Sequence, residues 1–139
     1  MIFNLACSRT LVESSGFILS PHYPGFYAPK SHCTWSITAP DRHVVRLEVL
    51  EFQLEHDPRC TSDYLEIIDG NTLHEQRLGK FCGEEIPALI ESSSNTVLIT
   101  FRSDKDIQGT GFKLYYSFRG KFTPIRISKF SEVLKSSSA

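Results

Sequence analysis

Ser92-Ser93-Ser94-Asn95 leads into Val97-Leu98-Ile99-Thr100-Phe101, and after the loop Ser103 to Gly111 the chain resumes as Phe112-Lys113-Leu114-Tyr115-Tyr116. Both runs are short, rich in β-branched and aromatic side chains, and bounded by polar or glycine turn signals, which makes them the two clearest strands of the chain. Upstream, Val45, Leu47 and Val49 alternate with Arg46 and Glu48 before the apolar phase slips to Phe52 and Leu54. Alternation predicts a half-buried strand, and the slip predicts a bulge or bend in it. Cys33-Thr34-Trp35-Ser36-Ile37-Thr38 alternates in the same way, with Trp35 directed to the core. From Gly16 to Tyr27, Pro21 and Pro24 forbid helix and withhold ladder donors, so an edge strand is expected to run into a tight aromatic-lined loop. Tyr64 to Ile68 reads as strand, Asp69-Gly70-Asn71 as a hairpin-type turn, and Leu73 to Leu78 as loop and strand. Many short strands with regular turn signals predict an all-β chain folded as an antiparallel β-sandwich.

With 139 residues, the chain fits one domain with a real core. Fifteen basic and 16 acidic residues give a net charge of -1 without a basic run, which argues against a nucleic-acid binder or a polybasic membrane anchor. No apolar stretch reaches bilayer-spanning length. Cys7, Cys33, Cys60 and Cys82 form no CxxC pair, so a disulfide framework is expected, with three connectivities open. Pairing neighbours would close two similar loops, each stabilising by roughly 3 to 4 kcal/mol in the chain-entropy model. Such bridges persist outside the cytosol. Met1-Ile2-Phe3-Asn4-Leu5-Ala6 lacks a basic start and is too short to be a signal peptide, so the chain is expected to be an excised piece of a secreted protein. After Gly120 the strand pattern decays, and a loosely held tail is expected from about Lys121 onward.

Chemistry concentrates in Glu55-His56-Asp57-Pro58-Arg59-Cys60-Thr61-Ser62-Asp63 and in a second acidic pair, Asp104 and Asp106. Taken by spacing, these are solvated loop acids or, if the fold gathers them, a hard-cation site. Crowded carboxylates repel one another until a cation or proton relieves them, and oxygen ligands suit calcium better than zinc.

The landmarks Cys7, Gly16-Phe-Ile-Leu-Ser-Pro-His-Tyr-Pro to Tyr27, Cys33-Thr-Trp, Phe52-Gln-Leu-Glu, Cys60, Asp63-Tyr-Leu-Glu-Ile, Gly79-Lys-Phe-Cys-Gly, Phe101-Arg-Ser-Asp and Gly111-Phe-Lys-Leu-Tyr-Tyr occur in this order. In that order they resemble a CUB domain over residues 7–118, with 1–6 as an extension and 119–139 as tail or linker. The resemblance implies a jelly-roll-like sandwich, disulfides Cys7 to Cys33 and Cys60 to Cys82, and a secreted, non-catalytic interaction module. It further implies a calcium site at Glu55, Asp63 and Asp104, steadied by Tyr27. Asp106 or its neighbour is expected to complete the shell through backbone carbonyls; Asp106 itself stands where a smaller polar residue is more usual. The implied partner is an extracellular protein presenting Lys or Arg to this face, with other CUB or protease domains as further associates.

Other readings compete with this one. Catalysis lacks a Gly-x-Ser-x-Gly elbow or His-Glu-x-x-His helix. Zinc on His32, Cys33, His56, Cys60 and Cys82 requires free thiolates. Tyr23, Phe26 and Tyr27 form an aromatic platform for carbohydrate or lipid if they are exposed, and a purely structural spacer uses none of these residues. His22, His43 and His74 fall in turn-like or exposed stretches.

Overall fold

A computed structural model describes residues 7–72, 74–105 and 109–121. Nine strands follow one another: β1 (Arg9–Leu11), β2 (Ser15–Leu19), β3 (His32–Thr38), β4 (His43–Gln53), β5 (Tyr64–Asp69), β6 (Gln76–Phe81), β7 (Leu89–Glu91), β8 (Thr96–Arg102) and β9 (Gly111–Gly120). They form a five-stranded sheet ordered β1-β3-β8-β5-β6 and a four-stranded sheet ordered β2-β9-β4-β7. The sandwich is the expected one, with one departure from antiparallel pairing: β1 runs parallel to β3. Its three residues carry too little pattern for their pairing to be read locally.

Period-2 side-chain alternation makes the core. In β3, Cys33, Trp35 and Ile37 are buried while the residues between them are half-buried. They face Val97, Ile99 and Phe101 of the antiparallel neighbour β8, all fully buried. Between the sheets runs a chain of edge-on rings, Trp35 on Phe112, Phe112 on Phe101 and Phe101 on Tyr27, with centroids 5.9, 5.2 and 5.1 Å apart. Edge-to-face packing of this kind adds to the gain from area buried.

The phase slip in β4 is a register shift between Val49 and Glu51. Leu50 is left 48% exposed, and Phe52 comes opposite Phe112. A second shift, between Ile67 and Ile68 in the β5–β6 pair, has no counterpart in the apolar pattern. The Asp69-Gly70-Asn71 turn opens a longer connection, since β6 starts only at Gln76. As expected from its prolines, β2 lies at a sheet edge. At the other end of the chain, β9 runs to Gly120; residues 1–6 and the tail from 122 lie outside the described residues.

Candidate metal centre

Tyr27 leaves the loop between β2 and β3 and drives its ring into the core, where it is 0% exposed. Its phenol emerges beneath the loops at one end of the sandwich. There the hydroxyl donates to Asp63 Oδ2 and accepts the Glu55 backbone N–H at 3.2 Å. Asp63, immediately before β5, is also fully buried, and its Oδ1 accepts the Asp104 N–H at 2.8 Å.

Two loops hold the carboxylates: Glu55 and Asp63 stand near the two ends of the β4–β5 connection, and Asp104 follows β8. Leu54 N–H bonds Gly83 O at 2.8 Å and Gly83 N–H bonds Glu55 O at 3.4 Å, while the Cys60–Cys82 disulfide ties the following turn to the same segment. Within that turn the Asp57 carboxylate collects the N–H groups of Arg59, Thr61 and Ser62 at 2.9 to 3.3 Å. These donors, with Ser62 foremost, pull its pKa down to about 2. Asp57 was thus the organiser of the loop all along, and Asp-Pro followed by Thr-Ser is the Asx-turn signal that announces it. On the other side, Ser31 N–H bonds Ser103 Oγ at 2.8 Å, Ser103 N–H bonds Ser31 O at 3.1 Å, and Lys30 N–H bonds Asp104 O at 2.8 Å. The two serine hydroxyls converge on Ala28 O. Nothing in the local pattern marks Ser31 and Ser103 as this clamp, because it joins residues 72 apart.

As a result Glu55, Asp63 and Asp104 each offer a carboxylate oxygen, and the three oxygens lie within 4.8 Å of one another. Asp106 falls outside the described residues. Burial pushes the Asp63 carboxyl up, and the neighbouring Asp104 charge adds to this, while the Tyr27 hydroxyl and Asp104 N–H oppose it. Burial, reinforced by the bond to Asp63, pushes the Tyr27 phenol above its ordinary value, so it stays a donor at neutral pH. The donor set fits calcium. Oxygens bound at about 2.3 to 2.6 Å on opposite sides of an ion stand roughly 4.6 to 5.2 Å apart, and calcium takes oxygen ligands in irregular arrays. Tyr27→Phe, which keeps the ring, is expected to cost about 2 kcal/mol in urea unfolding by stripping the buried Asp63 of a charge-assisted bond. An unchanged midpoint would show that the phenol supports nothing.

The competing readings fare differently. Cys7 pairs with Cys33 and Cys60 with Cys82, and no described cysteine is free, so no thiolate is available to zinc. Tyr27 is withdrawn from the aromatic platform by its burial, leaving Phe26 at 66% exposure and Tyr23 half-buried. His22 and His74 are exposed and His43 is half-buried.

A family model described as CUB domain matches residues 7–116. Cubilin from Sus scrofa is 41% identical over 112 residues, covering 81% of this chain and 3% of cubilin. The dorsal-ventral patterning protein tolloid of Drosophila melanogaster is 40% identical over 111 residues, covering 79% of this chain and 10% of tolloid. The chain therefore spans a small fraction of these relatives. Among solved structures, the MASP-1 CUB2 domain bound to Ca2+ superimposes with a TM-score of 0.70 at 32% identity, covering 78% of this chain and 96% of that one. CUB domains are non-catalytic modules of secreted or extracellular proteins, where they mediate protein interactions and sit beside other domains.

Proposed function

The chain belongs to the CUB domain family, and on that premise we propose that its acidic loop face is a calcium site that binds a basic side chain of an extracellular protein partner. One observation carries this reading: three carboxylates from two loops, Glu55 and Asp63 between β4 and β5 and Asp104 after β8, bring oxygens within 4.8 Å of one another around the buried Asp63. Bound calcium would supply the positive charge that lets these groups stay ionised together. Glu55, Asp63 and Asp104 are the proposed ligands, with Asp106 or a neighbouring carbonyl adding an oxygen, since calcium takes about six to eight. Tyr27 positions Asp63. Glu55 and Asp104 are only half-buried, which leaves this face within reach of the ammonium or guanidinium of the partner, a charge-assisted contact that weakens with salt. The short share of its relatives that this chain covers favours a place beside other CUB or protease domains.

Calorimetric titration tests the metal. Binding in the range of extracellular modules, Kd about 0.1 to 1 mM, is expected for the wild type, and Asp104→Ala should weaken it by at least about tenfold through loss of one charged ligand. Equal heats from both proteins would remove Asp104 from the site. The partner reading is tested by adding a lysine-bearing peptide with and without calcium and following amide NMR shifts. Shifts at residues 55 and 104 that appear only with calcium and fade with salt support it; no shifts in either state overturn it.

A further inference from the structure

The outer face of the five-stranded sheet carries charges that the calcium reading leaves unused. Register places His32 beside Arg102 and Arg102 beside Tyr64, and in the next row Thr34, Thr100, Glu66 and Lys80 lie side by side. Their chain neighbours Cys33, Phe101 and Leu65 are 0% exposed, so alternation turns His32, Arg102 and Tyr64 outward. Lys80 Nζ stands 4.2 Å over the Tyr64 ring, which fixes the ammonium without neutralising it. Glu66 is engaged by Arg77 at 3.2 Å. Among the described residues, neither Arg102 nor Lys80 has a carboxylate within the 4.0 Å of an ion pair. Two cations without an ion pair among the described residues thus stand beside and over one aromatic ring, on the strands either side of β5. The chain as a whole carries a net charge of -1, so this is a local concentration and not a generally basic surface.

We propose that this face, centred on Arg102, Tyr64 and Lys80, binds a sulfated glycosaminoglycan. Two cations on the strands that flank β5, one row apart along it, suit a chain bearing repeated oxyanions better than a single ion. Arg102 presents a planar fork to sulfate oxygens, and the Thr34 hydroxyl adds a neutral donor at the edge. Outside the cell the abundant polyanion of this chemistry is a sulfated glycan. The site is distinct from the acidic one: Asp63 precedes Tyr64 and Asp104 follows Arg102 by two residues, but Asp63 is directed inward to Tyr27.

Retention on immobilised heparin in about 150 mM NaCl tests this. The wild type should be retained, and the Arg102→Ala, Lys80→Ala double variant should bind about tenfold or more weakly. Arg102→Lys with Lys80→Arg should keep retention, as should Arg119→Ala, whose guanidinium is already paired with Glu91 at 2.9 Å. A calcium chelator should leave retention unchanged, which separates this site from the acidic face. The proposal is overturned by an unretained wild type, by wild-type retention of the double variant, by loss of retention with chelator, by desulfated heparin competing as well as heparin, or by binding to anionic phospholipid vesicles in place of heparin.

Discussion

Replacing Cys60 and Cys82 together by serine is expected to lower the unfolding free energy by roughly 3 kcal/mol and to abolish calcium binding. The bridge closes a loop with a sequence separation of 22, and the chain-entropy relation for a loop of that size gives about 3 kcal/mol at 25 °C. The local consequence is larger than that figure suggests. Cys60 sits at a φ of 51°, a left-handed conformation that a non-glycine residue keeps only where its surroundings hold it. With the bridge gone, the Asp57 carboxylate and the bond from Cys60 N–H to Asp57 O at 3.2 Å are left to restrain the turn between Glu55 and Asp63. Urea unfolding and calcium calorimetry on the double variant read the two effects separately. A variant that loses stability yet binds calcium normally would show that the Asp57 turn holds the carboxylates without the disulfide.

Gly111→Ala should be the more damaging single change, costing roughly 3 to 5 kcal/mol. Gly111 has a φ of +92°, and a Cβ there would fall 1.8 Å from Ser20 Oγ and 2.8 Å from Ser20 Cβ. Ser20 has no room to retreat. It is 3% exposed, its Oγ accepts the Phe112 N–H at 3.0 Å, and its own N–H bonds Phe112 O at 3.1 Å. Accommodating the methyl group therefore breaks the tie between β2 and the start of β9. The loop just before Gly111 carries Asp104 and also Gly109 O, which accepts the Tyr27 N–H at 3.2 Å, so strain here reaches the acidic cluster. Thermal and urea melts, with and without calcium, measure both losses. A melt within about 1 kcal/mol of wild type would mean that the backbone at 111 relaxes freely.

Much of the sandwich was legible in particular residues. The alternation in 33–38, 45–49 and 112–116 reports which face of each strand is buried, because side-chain direction in a strand depends only on position. The phase slip toward Phe52 marked the bulge for the same reason. Where the pattern was short or uniform it said little. The parallel β1, the three-residue β7 and the shift beside Ile68 all depend on partners distant in sequence. The acidic residues could be named from the chain, but their convergence could not, since Glu55, Asp63 and Asp104 are brought together by a disulfide, a phenol and a serine clamp from four loops.

The sequence by itself determined the fold class, the core faces of the long strands and the inventory of groups able to bind a hard cation. These follow from local periodicity and side-chain chemistry. Tertiary structure alone decided that Tyr27 is a buried brace and not an exposed platform, that three carboxylates converge at one end of the sandwich, and that Arg102 and Lys80 come together around Tyr64 on the outer face of the five-stranded sheet. Each of those facts is a distance between residues far apart in the chain, and such distances are set by how two sheets twist, pack and close on one another.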